Sequence, residues 1–295
     1  MVIRSTFILF EMLCLITLGY SQDSLKAKRD SVLTAKDTSR IFIGPRWEDT
    51  LVTGPVAPVF RVMQNNAFTA GERLVFDVDF GFLTVGEAVM EIAGFDYHAD
   101  RNCFNIQFRV SSLPFFSTFY KVEDRYSTLM DVEGLFPWRF EQHIREGGYS
   151  RDFAAEFDHV KLVARTTEGE HPIPPYVHDI VSALYFTRTL DFTGFRPGQR
   201  VHLQNFYKDS TYELDIKYKG KQEIEVEAGK FNCIVVEPLV KEGGLFKSEG
   251  SIFVWLTDDE RRIPVKVLSK IVIGSITAEL REYAGINGPI NAKIP

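Results

Sequence analysis

The chain has 295 residues, 25% of them charged, and a formal charge of −6. No long basic run appears, which argues against nucleic acid as a partner, since phosphates need a positive footprint. Hydrophobic residues make up 45% of the chain, enough for a sizeable core, and Phe alone contributes 25.

The first 21 residues have the three-part layout of a secretory signal: Arg4, an apolar stretch over 7–18 interrupted by Glu11, then Gly19-Tyr20-Ser21 before a cleavage point. The apolar run is too short to span a bilayer, and no later run is long enough, so the mature chain is expected to lack a transmembrane helix. Glu11-Met12-Leu13 ahead of Cys14 lack the small residues of a lipoprotein site, so Cys14 is read as part of the signal. Residues 22–67 show no sustained period and carry Gly44-Pro45, Gly54-Pro55 and Pro58, an irregular arm that Trp47 and Phe60 would pin to the body.

From Phe68 the pattern becomes period 2. Leu74, Phe76, Val78 and Phe80 alternate with Arg73, Val75, Asp77 and Asp79, a half-buried strand. Gly81 and Gly86 punctuate a turn before Ala88, Met90 and Ile92. In 103–110, Phe104, Ile106, Phe108 and Val110 share one face, and Cys103 shares the other with Asn105, Gln107 and Arg109. Pro114-Phe115-Phe116 breaks the alternation, which resumes over 121–130, and Pro137 opens a strand with Trp138, Phe140 and His143. Gly147-Gly148 marks a hairpin, and strands over 150–157 and 161–166 continue the meander.

One segment differs. In 179–190, Ile180, Ala183, Leu184 and Thr187 recur at helical spacing, prolines precede and Gly194 follows. His178 or Asp179 lies near its N-terminus, where unpaired amides favour an acid. Strands then return over 200–207, 211–218, 222–227, 231–240, 251–257, 263–271 and 275–283, with turns at Asp209-Ser210, Lys219-Gly220, Gly229, Gly243-Gly244, Asp258-Asp259 and Gly274. The expected fold is mainly β: a large curved antiparallel sheet or half-barrel, rich in meander, with one substantial helix at about 179–190. It forms one domain over 68–285, followed by a tail over 286–295. About a dozen strands exceed the eight whose barrel is filled by side chains or one small ligand. The Phe residues and the helix fill the surplus, or an apolar cavity remains for a lipid-like ligand. A transmembrane barrel is opposed by the polar tail and by charge on both faces of several strands, such as 221–227.

No catalytic motif, phosphate loop or metal-ligand spacing appears, and no cofactor is expected. The six histidines read as loop residues. Gly71-Glu72 and Gly86-Glu87 read as tight bends with solvated acids. Cys103 and Cys233 can pair in an oxidising compartment, worth about 4–5 kcal/mol across so long a loop. Cys103 on the polar face argues against a deeply buried bridge. Asp179, Ser182, Tyr185 and Arg188, three residues apart, line one side of the helix. They orient a ligand head group or lock the helix onto strand ends. Asp258-Asp259 fit a turn as well as acid–base work.

Taken together, several segments resemble the bacterial exported family called domain of unknown function 3108. They are Phe68-Thr-Ala-Gly-Glu-Arg-Leu-Val-Phe-Asp-Val with Gly86-Glu-Ala, Tyr120-Lys-Val-Glu-Asp-Arg-Tyr, Pro137-Trp-Arg-Phe, Asp179-Ile-Val-Ser-Ala-Leu-Tyr-Phe-Thr-Arg, Ala228-Gly-Lys-Phe-Asn-Cys, and Trp255-Leu-Thr-Asp-Asp through Arg262-Ile-Pro-Val. The resemblance implies an exported β-rich domain of a Gram-negative-type envelope, in the periplasm or on the periplasmic face of the outer membrane, and brings no catalytic residues. The last motif also resembles periplasmic lipoprotein carriers, a likeness at the level of fold. Three functions stand. The first is a non-enzymatic binder of an apolar ligand or an envelope-assembly factor, with Phe115, Phe116 and Tyr120 at the mouth and Tyr185 and Arg188 nearby. The second is a partner-binding module without a cavity. The third is a hydrolase or lyase using carboxylates such as Asp124, Asp179 or Asp258.

Overall fold

The computed structural model describes residues 59–242, 245–246, 252–270 and 274–295. The signal segment, Cys14 and most of the arm lie outside the described residues. The first strand, β1 (Arg73–Phe80), buries Leu74, Phe76 and Val78 and leaves Arg73 exposed, as its alternation requires. A meander continues through β2 (Leu83–His98), β3 (Arg101–Ser112), β4 (Glu123–Asp131), β5 (Pro137–Glu146), β6 (Tyr149–Asp158), β7 (Val163–Thr166) and β8 (Gly169–Pro172). The break at Pro114 is a four-residue helix, α1 (Pro114–Ser117), between β3 and β4. The helix α2 (Ile180–Arg188) follows β8. Then come β9 (Arg200–Tyr207), β10 (Ser210–Val226), β11 (Gly229–Glu242), β12 (Leu245–Phe246), β13 (Ile252–Thr257), β14 (Pro264–Lys270), β15 (Ser275–Ala284) and β16 (Lys293–Ile294).

These strands form one antiparallel sheet in the order β8-β7-β6-β5-β4-β3-β2-β1-β15-β14-β13-β11-β10-β9, with β12 and β16 paired to β11. The fold is therefore the mainly β, curved sheet that period-2 patterning implies. Among the described residues no backbone ladder joins β8 to β9. Side chains bridge these edges instead. Arg151 of β6 donates to the Tyr207 hydroxyl at 2.6 Å, and Thr166 of β7 donates to Asp209 at 2.6 Å. Phe157 packs edge-on against Phe206, their ring centres 5.7 Å apart. The free edge of β9 is covered by the residues before α2: the His178 amide donates to Gln204 O at 2.8 Å, and the Phe206 amide donates to His178 O at 2.7 Å.

Several local expectations are corrected. Lys219-Gly220 is not a turn but a bulge inside the single 17-residue strand β10. A bulge admits one extra residue and bends the strand without ending it. Residues 286–295 run back along the sheet: β16 pairs with β11, Ala292 is buried, and its amide donates to Asp259 at 2.9 Å. Cys103 is buried because Phe136 and Trp138 cover its face of β3, with Phe60 of the arm packed between them. Cys103 and Cys233 are both free thiols, and burial pushes each up to about 12.

Glu72 is likewise not solvated. It and Arg188, the last residue of α2, are both fully shielded, and the guanidinium forks onto the carboxylate at 2.6 and 2.7 Å. The remaining Arg188 donors reach the carbonyls of Arg262 and Arg261 at 3.1 and 3.2 Å. Two charges out of water are tolerable only with this completeness of pairing. The N-terminal end of α2 is held by Asp179, which caps Val181 and Ser182 and accepts from Thr128 of β4 at 3.0 Å. Leu184 faces β1, β2, β14 and β15. The helix thus lies inside the curl of the sheet. Arg188→Met, which strands the Glu72 carboxylate, is expected to cost about 3–5 kcal/mol. Glu72→Met together with Arg188→Met should recover most of that in urea unfolding. An Arg188→Met protein as stable as the wild type would remove the pair as an anchor.

Candidate functional site

In an antiparallel meander alternate loops fall at one end. The β1–β2 turn, the α1 loop and the β5–β6 hairpin share one rim. The Leu113 amide donates to Val85 O at 2.9 Å, and the Gly147 amide donates to Lys121 O at 2.8 Å. Gly147 has a φ of +57°, and a Cβ there would stand 2.8 Å from the Tyr120 ring, so only glycine admits this packing. Phe116 and Tyr120 pack partly against the core, while Phe82, Phe115 and Phe119 point outward with 92, 68 and 78% of their surface exposed. Leu83 adds a fourth exposed apolar side chain. Large exposed apolar groups gathered on neighbouring loops mark a contact surface.

Below this rim the inner faces of β1–β3, β14 and β15 leave two small half-open cavities of about 40 Å³ each. The deeper is lined by Phe76, Ala88, Met90, Phe108, Leu184 and Ala278, among others. The one nearer the rim is lined by Phe80, Val85, Val110, Val122 and Glu146. Val78 and Ile276 are walls of both, so the two adjoin along one strip of mostly apolar wall, the trough. α2 and the Phe-rich core occupy the interior beside them. A larger polar cleft, about 450 Å³, lies against the outer face of β9 and β10 between Arg61, Tyr176, His202, Glu213 and Asp215. Its Asp215 is held by His202 and Arg200.

The inner faces of β4 and β5 carry the core residues Tyr126, Met130, Phe140 and Ile144 with four polar residues set among them. Asp124 and Glu146, 1 and 5% exposed, lie side by side near the rim. Asp124 Oδ1 accepts from the Arg145 amide at 2.8 Å, and its carboxyl is hydrogen-bonded to that of Glu146. Burial raises the Asp124 carboxyl above its usual range. Deeper in, Gln142 is fully buried with neither amide atom partnered, and beyond it stand Thr128 and the N-cap Asp179.

The residues singled out from sequence therefore separate into two places. Phe115, Phe116 and Tyr120 are together at the rim. Asp179, Ser182, Tyr185 and Arg188 are buried along α2. Ser182 completes the capping box by accepting from the Asp179 amide at 3.0 Å. The Tyr185 ring meets Phe68 edge-on at 4.9 Å. Tyr185 and Arg188 are thus not near the mouth, because Arg188 is tied to Glu72 at the opposite end of β1. Asp124, Asp179 and Asp258 do not share a cleft. Asp179 meets β4 at Thr128, four residues and about 13 Å along the strand from Asp124, and Asp258 pairs with Lys221 at 2.6 Å. Asp259 receives the amides of Arg261 and Ala292, as a turn acid does. Two histidines are not exposed loop residues: burial pushes His159 and His178 down to about 4 and about 3. Among the described residues no group of three or more His, Cys, Asp or Glu is placed to hold a metal. Sequence reading missed Glu146, Gln142, Phe82 and Phe119.

A family model described as "Protein of unknown function (DUF3108)" matches residues 75–281, which confirms the resemblance seen in the motifs. Among solved structures, a beta-barrel-like protein of domain of unknown function DUF1849 from Brucella abortus is 9% identical, covering 75% of this chain and 99% of its own, with a TM-score of 0.47. A candidate exported protein with a YmcC-like fold from Bacteroides fragilis is 9% identical over 77% of this chain and 100% of its own, with a TM-score of 0.29. A candidate lipoprotein from Parabacteroides distasonis is 11% identical over 75% of this chain and 99% of its own, with a TM-score of 0.32. No curated protein matches the chain.

Burial raises the Asp179 carboxyl from 3.8 to about 6, against the hydrogen bonds from Ser182, Thr128 and Val181 that lower it. An acid raised in the fold holds its proton there at a pH where the unfolded chain has released it. Its contribution to stability therefore declines as pH rises from about 4 to about 6, a loss of about 3 kcal/mol. Asp179→Asn keeps an N-cap oxygen and should remove this decline. Urea midpoints at pH 4 and pH 7 read the difference. A slope that survives the substitution assigns the titration to another group.

Proposed function

We propose that this chain, which belongs to the DUF3108 family, is an exported, non-catalytic binder of an apolar chain that acts in the cell envelope. The observation that carries the reading is the trough: two adjoining cavities with mostly apolar walls inside the sheet, beneath loops that expose Phe82, Leu83, Phe115 and Phe119. Binding sites for apolar ligands have this composition. Each cavity, at about 40 Å³, is close to the ~30 Å³ share of one liquid water. An acyl-type chain therefore enters by turning side chains aside, and unbranched Met90 is suited to that. In this reading Phe115, Phe116 and Tyr120 form the mouth, and Asp179, Ser182, Tyr185 and Arg188 hold α2 in place. The signal-like N-terminus supports export to the periplasm or to the periplasmic face of the outer membrane. A second reading, docking of an envelope protein, is favoured by the same exposed rings. The separation of Asp124, Asp179 and Asp258 speaks against a hydrolase built on those three.

The test is native mass spectrometry of the mature protein purified from the periplasm, with organic extraction of bound material. A stoichiometric lipid is expected. Ala278→Leu adds bulk at the trough wall at a cost of about 1–3 kcal/mol, and should release that lipid from a folded protein. Phe115→Asp should weaken its uptake. Bare protein that stays bare on adding lipid would overturn the binder and leave the rim to a protein partner, sought by cross-linking from position 115.

A further inference from the structure

The exposed rings of the rim stand on segments without charge. Residues 80–86 and 110–120, which carry Phe82, Leu83, Phe115 and Phe119, contain no Asp, Glu, Lys, Arg or His. Charges begin below them. Asp79 accepts from the Thr84 hydroxyl at 2.6 Å. Three residues under the last pair of the β1–β2 ladder, Phe80 with Leu83, Arg281 joins Asp77 at 2.6 Å and Glu87 at 2.5 Å. That row lies about 10 Å of strand below the turn. The α1 loop also satisfies its own polar groups. The Ser112 and Ser117 hydroxyls lie 2.7 Å apart, and Ser117 donates to Leu113 O at 3.0 Å. The Thr118 hydroxyl donates to Phe115 O at 2.7 Å, and the amides of Phe119 and Tyr120 donate to Phe116 O at 3.0 and 2.9 Å. These groups can leave water without losing a partner. The opposite end of the sheet is different: Phe95 and Tyr97 are exposed there too, but they alternate with Asp96 and His98.

We propose that the rim is a bilayer-docking surface: Phe82 and Leu83 of the β1–β2 turn and Phe115 and Phe119 of the α1 loop enter the interfacial layer of an electrically neutral lipid surface. This goes beyond the binding of a chain in the trough and holds whether or not the trough is filled. The depth agrees. Apolar faces of surface-bound elements sink about 5–10 Å into the boundary between head groups and acyl chains, and the charge-free part of the rim ends at that distance. Asp79 then lies at head-group level and the Arg281 row stays in water. A bilayer receives rings that stand apart on separate loops, whereas a protein partner must offer a fitted pocket to each anchor. The charges select the kind of lipid. The chain carries −6, and Lys121, just past the second segment, is paired with Glu123 at 2.9 Å. The attraction is therefore apolar, so it gains nothing from anionic lipid and resists salt. In this orientation the rim-side cavity faces the lipid.

The experiment is flotation of the full mature chain with phosphatidylcholine vesicles, and with vesicles in which part of that lipid is replaced by phosphatidylglycerol. The chain should float with the neutral vesicles, no less than with the anionic ones, and raising the salt about tenfold should not release it. Phe82→Ser and Phe115→Ser should each lower the partition coefficient about tenfold. Both side chains are exposed, so near-ultraviolet circular dichroism should show the fold unchanged. Phe95→Ser, at the opposite end, should float as the wild type does. Ala278→Leu, which fills the trough, should also float, and this separates docking from uptake of a chain. Failure to float with neutral vesicles, a requirement for phosphatidylglycerol, or partitioning unmoved by both ring variants would overturn the docking surface. Flotation lost in Ala278→Leu and kept in the ring variants would overturn it too, and assign the association to the trough. A chain that does not float but cross-links from position 115 to one envelope protein gives the rim to that protein instead.

Discussion

A guanidinium and a carboxylate with no access to water fix how this sheet is filled. Glu72 precedes the first strand and Arg188 ends the helix, and among the described residues each is the other's charged partner within hydrogen-bonding distance. Either one alone would be a costly buried charge. Their meeting places α2 inside the curl and sets its direction. The Asp179 cap and its bond to Thr128 hold the opposite end. With both ends fastened, the helix occupies one part of the interior and leaves the strip beneath the rim underfilled. The position of any ligand space follows from this fastening rather than from the number of strands.

The same constraint explains why the open part of the interior is not uniform. β1–β3, β14 and β15 present Phe76, Val78, Met90, Phe108 and Ile276, an apolar wall that needs no partners. β4 and β5 set Asp124, Gln142 and Glu146, which do, among the core side chains Tyr126, Met130, Phe140 and Ile144. Gln142 is buried there with neither amide atom partnered among the described residues, a cost that buried water or a ligand ordinarily meets.

Much of the fold was legible because alternation is a local signal. β9 spans the same residues that period 2 implies, and α2 falls inside its helical pattern with Asp179 as the cap. What escaped was set by distant residues. Glu72 reads as a solvated acid in a Gly-Glu bend because its partner lies 116 positions away. Cys103 reads as a polar-face residue because the Phe136 and Trp138 that cover it belong to another strand and loop. Along β4 both faces are polar, Glu123, Arg125 and Ser127 on one and Asp124, Tyr126 and Thr128 on the other. Amphipathicity therefore could not say which set faces inward, and the Asp124–Glu146 pair stayed hidden. Lys219-Gly220 carries turn residues, but a bulge uses the same freedom of glycine.

The seam between β8 and β9 sets the mechanical character of the whole. A barrel closed by backbone ladders resists widening all around its circumference, since any increase in girth must stretch a row of amide bonds. Here the last contact of the circle is made by Arg151, Thr166 and a few aromatic rings reaching across to Tyr207, Asp209 and Phe206. Side chains of that length rotate and re-seat within nanoseconds. The ring is stiff along every ladder and compliant along one line, so a change in girth is taken up at that line while the strands themselves keep their register.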